Sequence, residues 1–419
     1  MQVEKSKENL FLYLASLKNG LIYHPLNTGY TNDELNFFLK DAEPALVVCD
    51  ENRTNDIKNI LSNNQYKNIF TLNKDGSGTL TDAEEHLNGN NNIVACKNDD
   101  IACLLYSSGT TGRPKGVMLS HENLRVTISN LVKVWEYSEH DILLHSLPIY
   151  HAHGLFFGIG CALATGSQMI WHHSFKADKV IKDLPKSTVM MGVPTFYTRL
   201  LSHPEFTIEC ASQMRVFISG SAPLLKETFN QFKQKTSHEI IERYGLTETG
   251  ILSSSVIKST IKPGSVGKVL ENISLKICDK TGKNVDINET GEVYAKGNNV
   301  FKKYWNLPEK TEEDFTPEGY FKTGDLAKLD NEGYLFIVGR SKDLIITGGL
   351  NVYPKEIEDI LNEYPDINEA AVIGIPHDDF GEAVIAIIET EIEFDKDKLL
   401  QTLKKKFASF KVPKDIYFV

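Results

Sequence analysis

The stretch YSSGTTGRPKGVMLSHENL, residues 106–124, concentrates glycines, hydroxyls and a lysine between an apolar segment and a helical pattern. Glycine lets the backbone approach a ligand closely. A glycine-rich turn between a strand and a helix is typical of phosphate binding. We therefore predict a polyanion-binding loop that leads into a helix capped by Ser120. The residues that would supply the donors and the turn are Ser107, Ser108, Gly109, Thr110, Thr111 and Lys115.

The spacing of this loop differs from the Walker A motif, G-x-x-x-x-G-K-[ST]. Counted from Gly109, the second glycine of that motif falls on Pro114, and counted from Gly112 it falls on Val117. The loop is therefore a phosphate loop of another kind, with a plain linker as the alternative.

Outward from this loop, residues 101–245 alternate apolar runs with helical patterns, as in DILLHSLP, STVMMGVP and MRVFISG. Near-continuous apolar strands between helices indicate an α/β fold with a parallel sheet covered by helices on both faces. Ligands of such sheets bind beyond the carboxyl ends of the strands. We expect four loops at that edge, namely SSGTTG, PIYHAHG, SGSAP and YGLTET.

The pattern changes in the last third of the chain. Residues 262–340 contain short alternating segments with turn signals, which predict a β-rich part of the first domain. Residues 341–419 read as a small α+β unit, in which YLFIVGRSKDLIITGG would form a hairpin. We predict two domains, 1–340 and 341–419, with the boundary near residues 340–342.

Composition narrows the function classes. The 419 residues are 41% hydrophobic and 24% charged, enough for a large core. The net charge of −11 argues against a nucleic-acid-binding surface. No apolar run in the sequence is long enough to span a bilayer. The six cysteines contain no C-x-x-C pair, which disfavours structural zinc.

Taken together, the motifs resemble the adenylate-forming superfamily of acyl-CoA synthetases, adenylation domains and firefly-type luciferases. The resemblance rests on YSSGTTGRPKGV, ISGSAPL, ERYGLTETG, the run from GYFKTGD to NVYPKEIE, and AAVIGIPHDDFGE. It implies a large N-terminal domain and a small, mobile C-terminal domain. Within the superfamily, LPIYHAHGLF, VMMGVPTFYTRLL and ERYGLTE look like the malonyl-CoA synthetases.

The resemblance implies ATP, Mg²⁺ and coenzyme A as the small molecules bound. Thr247 and Glu248 would bind phosphate and Mg²⁺, since a carboxylate is a suitable hard ligand. Asp325 would accept hydrogen bonds from the ribose hydroxyls, and Arg340 would contact ribose or phosphate. Tyr244 would stack on adenine, with Gly220, Ser221 and Ala222 framing the base, and Glu242 and Gly245 are also implied to bind the cofactor.

Arg243 carries the prediction about the acid. Its guanidinium would pair with the distal carboxylate of a short dicarboxylic acid such as malonate or methylmalonate. The alternative is a solvated arginine at a strand end. His151 and His153, two apart on an extended segment, would share one face. We expect them to line the acid pocket, because the sequence offers no third ligand at zinc spacing. Structural histidines are the other interpretation.

The small domain would rotate between adenylation and thioester formation about Lys342, the residue at the family's hinge position. Gly348 and Gly349 would let the coenzyme A arm pass close to the backbone. The structural alternative for Lys342 is an exposed turn lysine.

The sequence departs from the family pattern at both ends, and we interpret it as a fragment. No residue matches the C-terminal lysine that stabilises charge during adenylation, so adenylation is expected to be impaired. Another small-acid or aryl acyl-CoA ligase and a non-catalytic nucleotide-binding protein remain alternatives. The expected compartment is cytoplasmic, with the mitochondrial matrix as the alternative, and the sequence leaves the oligomeric state open.

Overall fold

The computed structural model describes residues 1–61, 68–85, 89, 92–107, 113–347, 350–377, 380–392 and 394–419. The first hundred residues form small helices around a two-stranded parallel sheet. In chain order these elements are α1 (Lys7–Lys18), α2 (Asn32–Ala42), β1 (Val47–Cys49), α3 (Thr54–Leu61), β2 (Ile69–Thr71) and α4 (Thr79–Glu85).

The residues on either side of the glycine-rich segment form two antiparallel strands, β3 (Ile101–Ser107) and β4 (Lys115–Ser120). The predicted strand-to-helix turn is therefore wrong in one respect, because β4 intervenes before the helix. The helix α5 (His121–Val134) does begin at Ser120, whose hydroxyl accepts a hydrogen bond from the Asn123 amide. Strands β3 and β4 form a sheet of their own and do not join the large parallel sheet, contrary to our expectation.

The predicted parallel sheet is confirmed over five strands. They are β5 (Ile142–His145), β6 (Gln168–Trp171), β7 (Val189–Gly192), β8 (Val216–Ser219) and β9 (Ile240–Leu246). The helices between and beside them are α6 (Ile159–Thr165), α7 (Ala177–Asp183), α8 (Pro194–Leu201), α9 (Ile208–Ala211) and α10 (Lys226–Thr236). Two antiparallel strands, β10 (Gly250–Ser254) and β11 (Lys268–Val269), extend the sheet beyond β9.

The central strands of the sheet are buried because their side chains are apolar on both faces, whereas the edge strand β6 is partly exposed. Strands β7 and β8 contain only buried residues. They belong to one large core that also includes Trp135, Tyr197 and Phe217. A core packed in this way holds the strand ends in fixed positions, and the predicted site loops leave the sheet at those ends.

The predicted β-rich part is a four-stranded antiparallel sheet in the order β12-β13-β14-β15. Its elements are β12 (Ser274–Cys278), β13 (Gly291–Lys296), α11 (Pro308–Asp314), β14 (Phe321–Leu329) and β15 (Leu335–Arg340).

The C-terminal unit has its own sheet and its own core. Its elements are β16 (Ile345–Thr347), β17 (Leu350–Val352), α12 (Pro354–Leu361), β18 (Glu369–His377), β19 (Gly381–Glu389), α13 (Lys396–Lys406) and β20 (Asp415–Phe418). The predicted hairpin across residues 334–349 is wrong. Strand β15 pairs with β14, whereas β16 pairs with β17 and β19 in a different sheet. A short 3-10 turn, Ser341–Asp343, joins the two sheets.

Among the described residues, no helix is long and apolar enough to cross a membrane.

Candidate active site

The site is centred on the end of β9, where successive side chains alternate between the two faces of the strand. Arg243 and Gly245 lie on one face, and Glu242 and Tyr244 lie on the other. Glu248 follows in the turn that leads to β10. The predicted residues therefore lie in three environments, one on each face of the strand and one in the turn that follows it.

The first environment surrounds Arg243, whose side chain is buried with a residue exposure of 5%. Its Nη2 donates to Ser221 Oγ at 3.1 Å, and its guanidinium carbon lies 5.3 Å from the centre of the Phe157 ring. Its Nε finds no hydrogen-bond partner in the described part of the chain. Burial lowers the pKa of Arg243 to about 9, because desolvation disfavours the charged form of the side chain.

Gly220 and Ser221 make room for this guanidinium. A Cβ added at Gly220 would lie 2.3 Å from Arg243 Nε, so only glycine fits beneath the side chain. Ser221 adopts a left-handed backbone conformation with φ of 72°, which is uncommon outside glycine and is found at functional sites. The neighbouring Ala222 is exposed. The SGSAP loop therefore lies against Arg243.

His153 completes this group, and His151 does not. His153 is buried, and its Nδ1 lies 3.2 Å from Ser221 Oγ. Burial and the nearby Arg243 charge hold the pKa of His153 well below its usual range, so the ring is neutral. His153 begins a π-helical turn, and the preceding Ala152 is helical, so the predicted extended segment with both histidines on one face is wrong. His151 is exposed and packs its ring edge against Tyr150.

The second environment links three predicted nucleotide-binding residues. Tyr244 donates from its hydroxyl to Asp325 Oδ2 at 2.6 Å, and Arg340 Nε lies 2.7 Å from Asp325 Oδ1. Burial raises the pKa of Asp325, and the Arg340 charge opposes that shift. The cluster joins β9 to β14 and β15, so it fixes the large sheet against the β-rich part.

Glu242 lies on the same face of β9 as Tyr244, and its side chain is buried whereas Tyr244 is half-buried. One of its oxygens, Oε1, finds no partner among the described residues. Burial raises the pKa of Glu242 to about 7, against hydrogen bonds from the backbone at Gly264 and Leu224. The charge of Lys355 in α12 also lowers the pKa of Glu242, and that of Asp359 raises it. Glu242 is therefore close enough to charged groups of the C-terminal unit to be affected by them.

The third environment is the phosphate side. The Ser107 hydroxyl donates to Glu248 Oε1 at 2.7 Å, which brings the start of the glycine-rich loop to the end of β9. Lys115 Nζ donates to the Tyr304 hydroxyl at 3.0 Å and pairs with Asp314 at 3.3 Å. Burial, followed by the charges of Glu248 and Asp314, raises the pKa of the Tyr304 hydroxyl. Thr247, half-buried, immediately precedes Glu248.

Magnesium fits this part of the site as a substrate-bridging ion. Mg²⁺ needs one or two carboxylates and takes its other ligands from water and phosphate oxygens. Glu248 supplies one buried carboxylate with a hydroxyl beside it. The described residues contain no cluster of three or more acidic, histidine or cysteine side chains that could hold a metal ion.

Several predicted residues lie outside the described part of the chain or away from the site. Ser108, Gly109, Thr110, Thr111, Gly348 and Gly349 are not among the described residues. Lys342 is exposed in the 3-10 turn between the two sheets. Tyr304 and Asp314, which hold Lys115, were not predicted. Their partner is about 190 to 200 residues away in sequence, and no local pattern indicates the pairing.

The site combines a buried arginine with an acidic, hydroxyl-rich turn at the end of a parallel sheet. This arrangement suits an enzyme that uses a nucleotide to activate a carboxylate. The chain belongs to the AMP-binding enzyme family: residues 1–305 match the model of that family, and residues 356–419 match its C-terminal domain.

Several named relatives are similar to the chain. A malonate–CoA ligase of Arabidopsis thaliana is 34% identical over 96% of this chain and 71% of its own length. The mitochondrial malonate–CoA ligase ACSF3 of Xenopus laevis is 32% identical over 88% of this chain and 70% of its own.

Solved structures share the fold. The ATP-bound MatB of Rhodopseudomonas palustris superposes with a TM-score of 0.97 at 46% identity, covering 100% of this chain and 84% of that chain. Its apo form covers the same shares at the same identity, with a TM-score of 0.88.

Proposed function

We propose that the protein ligates malonate to coenzyme A, using ATP and passing through a malonyl-adenylate. The observation that carries this proposal is the buried, unpaired guanidinium of Arg243. Among the described residues, no carboxylate forms an ion pair with it, and an isolated buried charge is costly. A second carboxylate on the substrate would remove that cost. The relatives named as malonate–CoA ligases agree with this choice of acid.

The acid would be oriented by three groups. Arg243 supplies the charge, and its Nε is free to donate. Ser221 Oγ accepts from Arg243 Nη2 and lies 3.2 Å from His153 Nδ1. We propose that the serine donates in this second contact, which would put the imidazole N–H on Nε2, the nitrogen without a partner in the described chain. Both free donors suit one carboxylate, whereas an apolar acyl tail would leave them unsatisfied.

The nucleotide would occupy the opposite side of the strand end. Tyr244, Asp325 and Arg340 suit the base and ribose, and Ser107, Lys115 and Thr247 suit the phosphates. Glu248 would hold Mg²⁺, which neutralises phosphate charge when it is bound. Positioning and charge compensation, with little covalent work by the protein, are what adenylation requires. We propose domains 1–340 and 341–419 with Lys342 as the hinge.

The compartment is a separate proposal. The ACSF3 relative is named as mitochondrial. We propose the cytoplasm, with the mitochondrial matrix as the alternative, and localisation of the tagged protein would distinguish them.

The test of this function is acid-dependent pyrophosphate exchange and AMP release with malonate, methylmalonate, acetate and benzoate. Malonate should have the highest kcat/KM. Arg243→Met should lower it by roughly 10- to 150-fold, the equivalent of about 1.5–3 kcal/mol for a charged hydrogen bond. Activity with acetate should change little. Arg125→Met is the matched control, since that arginine is on the surface and, among the described residues, pairs with Glu122 of its own helix. Preference of the wild type for acetate over malonate would refute the proposal.

A further inference from the structure

Lys5 is a buried lysine that the sequence interpretation did not use. Its residue exposure is 5%. Its Nζ lies 2.6 Å from His145 Nδ1, donates to the His145 carbonyl at 2.8 Å and lies 4.4 Å from the centre of the Trp171 ring. Within the described residues no carboxylate pairs with this amine. Both of its hydrogen bonds go to His145, at the carboxyl end of β5.

His145 connects Lys5 to the segment that contains His153 and Gly154. Because Nδ1 accepts from Lys5, the ring proton resides on Nε2, which donates to the Gly154 carbonyl at 2.8 Å. The ring also stacks on Trp171, with centres 5.1 Å apart and planes at 11°. The hydrogen bond from Lys5 therefore fixes the tautomer of His145, and it orients the ring together with the contacts to Gly154 and Trp171.

At Gly154 the segment of residues 148–154 folds back against its own beginning. A Cβ added there would lie 1.9 Å from the Pro148 carbonyl oxygen, so the two ends of the segment touch. His153, the preceding residue, contacts Ser221, which in turn contacts Arg243. A continuous line of contacts therefore runs from Lys5 through His145 and Gly154 to the acid-recognition group.

We propose that Lys5 and His145 are positioning residues for the acid substrate: the Lys5–His145–Gly154 hydrogen bonds hold His153 against Ser221 and Arg243. This inference rests on the proposed function, because it concerns recognition of the same dicarboxylic acid. Both residues act through the loop and need not touch substrate. A misplacement of about 1 Å far from the reacting atoms can cost as much as 100-fold in rate, so an effect on the acid is expected.

The test uses the full chain with Lys5→Met, His145→Leu and the double variant, and Lys7→Met as the control. Lys7 is exposed in the same segment. Each single variant should raise the malonate KM about tenfold and lower the malonate-to-acetate ratio of kcat/KM, with the ATP KM unchanged. The double variant should be no worse than either single variant, because one line of contacts is broken in all three. Calorimetric titration of malonate should show the same loss of affinity.

A structural role alone would lower the melting temperature and slow both acids equally, and that result would overturn the inference. An unchanged malonate KM, or effects that add in the double variant, would also overturn it. If Lys5→Met does not fold, His145→Leu gives the same comparison, and His145→Gln, which keeps an amide donor for the Gly154 carbonyl, should restore the malonate KM. A wild type without malonate preference refutes the proposed function, whereas a wild type with that preference and variants that retain it refutes only the positioning role.

Discussion

At the scale of single residues, the position of one arginine depends on the absence of a neighbouring side chain. Gly220→Ala would add a methyl group only 2.3 Å from the present position of Arg243 Nε, which is too close for both atoms to stay in place. We expect the guanidinium to move and the malonate KM to rise roughly tenfold, while the ATP KM stays constant. Steady-state kinetics would measure both constants.

Gly89→Ala is the control for this substitution, since a Cβ there would meet nothing within 4 Å. A Gly220→Ala enzyme with an unaltered malonate KM would show that the guanidinium does not bind the acid in the position described.

Glu242 makes a prediction about stability and pH. Burial raises its pKa from 4.5 to about 7. Below pH 4.5 the carboxyl is protonated in both the folded and the unfolded chain. Between pH 4.5 and 7 the unfolded chain releases this proton first, so the Glu242 contribution to the free energy of unfolding falls as pH rises. The loss is on the order of 3 kcal/mol by pH 8.

Glu242→Gln should remove that loss. Urea unfolding should find the variant more stable than the wild type at pH 8 and similar to it near pH 4.5. Glu205→Gln, a change on the surface, should leave the wild-type pH dependence intact. A difference between wild type and Glu242→Gln that is the same at both pH values would contradict the assigned pKa.

At the scale of elements, the helix α5 is attached to the β-rich part by its cap. Ser120 and Asn123 form a capping box, and Asn123 Nδ2 also donates to the carbonyls of Asn298 and Val300 at 2.8 and 2.9 Å. Ser120→Ala should cost about 1 kcal/mol of unfolding free energy, the usual value of an N-cap. Asn123→Ala should cost roughly 2–4 kcal/mol, since it also leaves buried carbonyls without a donor.

Denaturant unfolding of both variants would measure this difference, with Ser212→Ala on an exposed turn as the reference. Equal losses for Ser120→Ala and Asn123→Ala would mean that the bonds to residues 298 and 300 contribute nothing.

The elements also show how far sequence reasoning reaches. The five parallel strands were predictable because each contains a short apolar run, and a helical pattern follows four of them. Strand β4 was missed because six residues between a glycine-rich loop and a helix cap carry too little pattern to stand out. The false hairpin has a different cause. Alternation identifies β15 and β16 as strands, but it does not say which partners they pair with.

The same limit applies to the candidate site. Arg243, Glu248 and Asp325 were predicted because they lie in recognisable motifs, ERYGLTETG and the run that begins GYFKTGD. Lys5 was missed because its partner His145 is 140 residues away. Its neighbours from Glu4 to Asn9 are all charged or polar, so the sequence around Lys5 looks like an exposed segment and gives no sign of this contact.

At the scale of the whole molecule, the two sheets on either side of residue 342 are joined by one short turn. Arg340 is held by Asp325 on the large part, and β16 begins the sheet of the C-terminal unit. Lys342, between them, is exposed. If the two parts rotate during the reaction, the backbone of this turn must change conformation.

Lys342→Pro should restrict that rotation. Proline fixes φ near −65°, a value compatible with the 3-10 turn seen here, and also restricts the residue before it. The arrangement described resembles the ATP-bound relative more than its apo form. We therefore expect malonate-dependent pyrophosphate exchange to change less than threefold, and thioester formation from preformed malonyl-adenylate to fall at least tenfold, as roughly expected for gating motions. Lys342→Ala, which removes the side chain but leaves the backbone free, should affect the second step much less. Equal slowing of both steps by Lys342→Pro, or an equal effect of the two variants, would show that residue 342 is not the hinge.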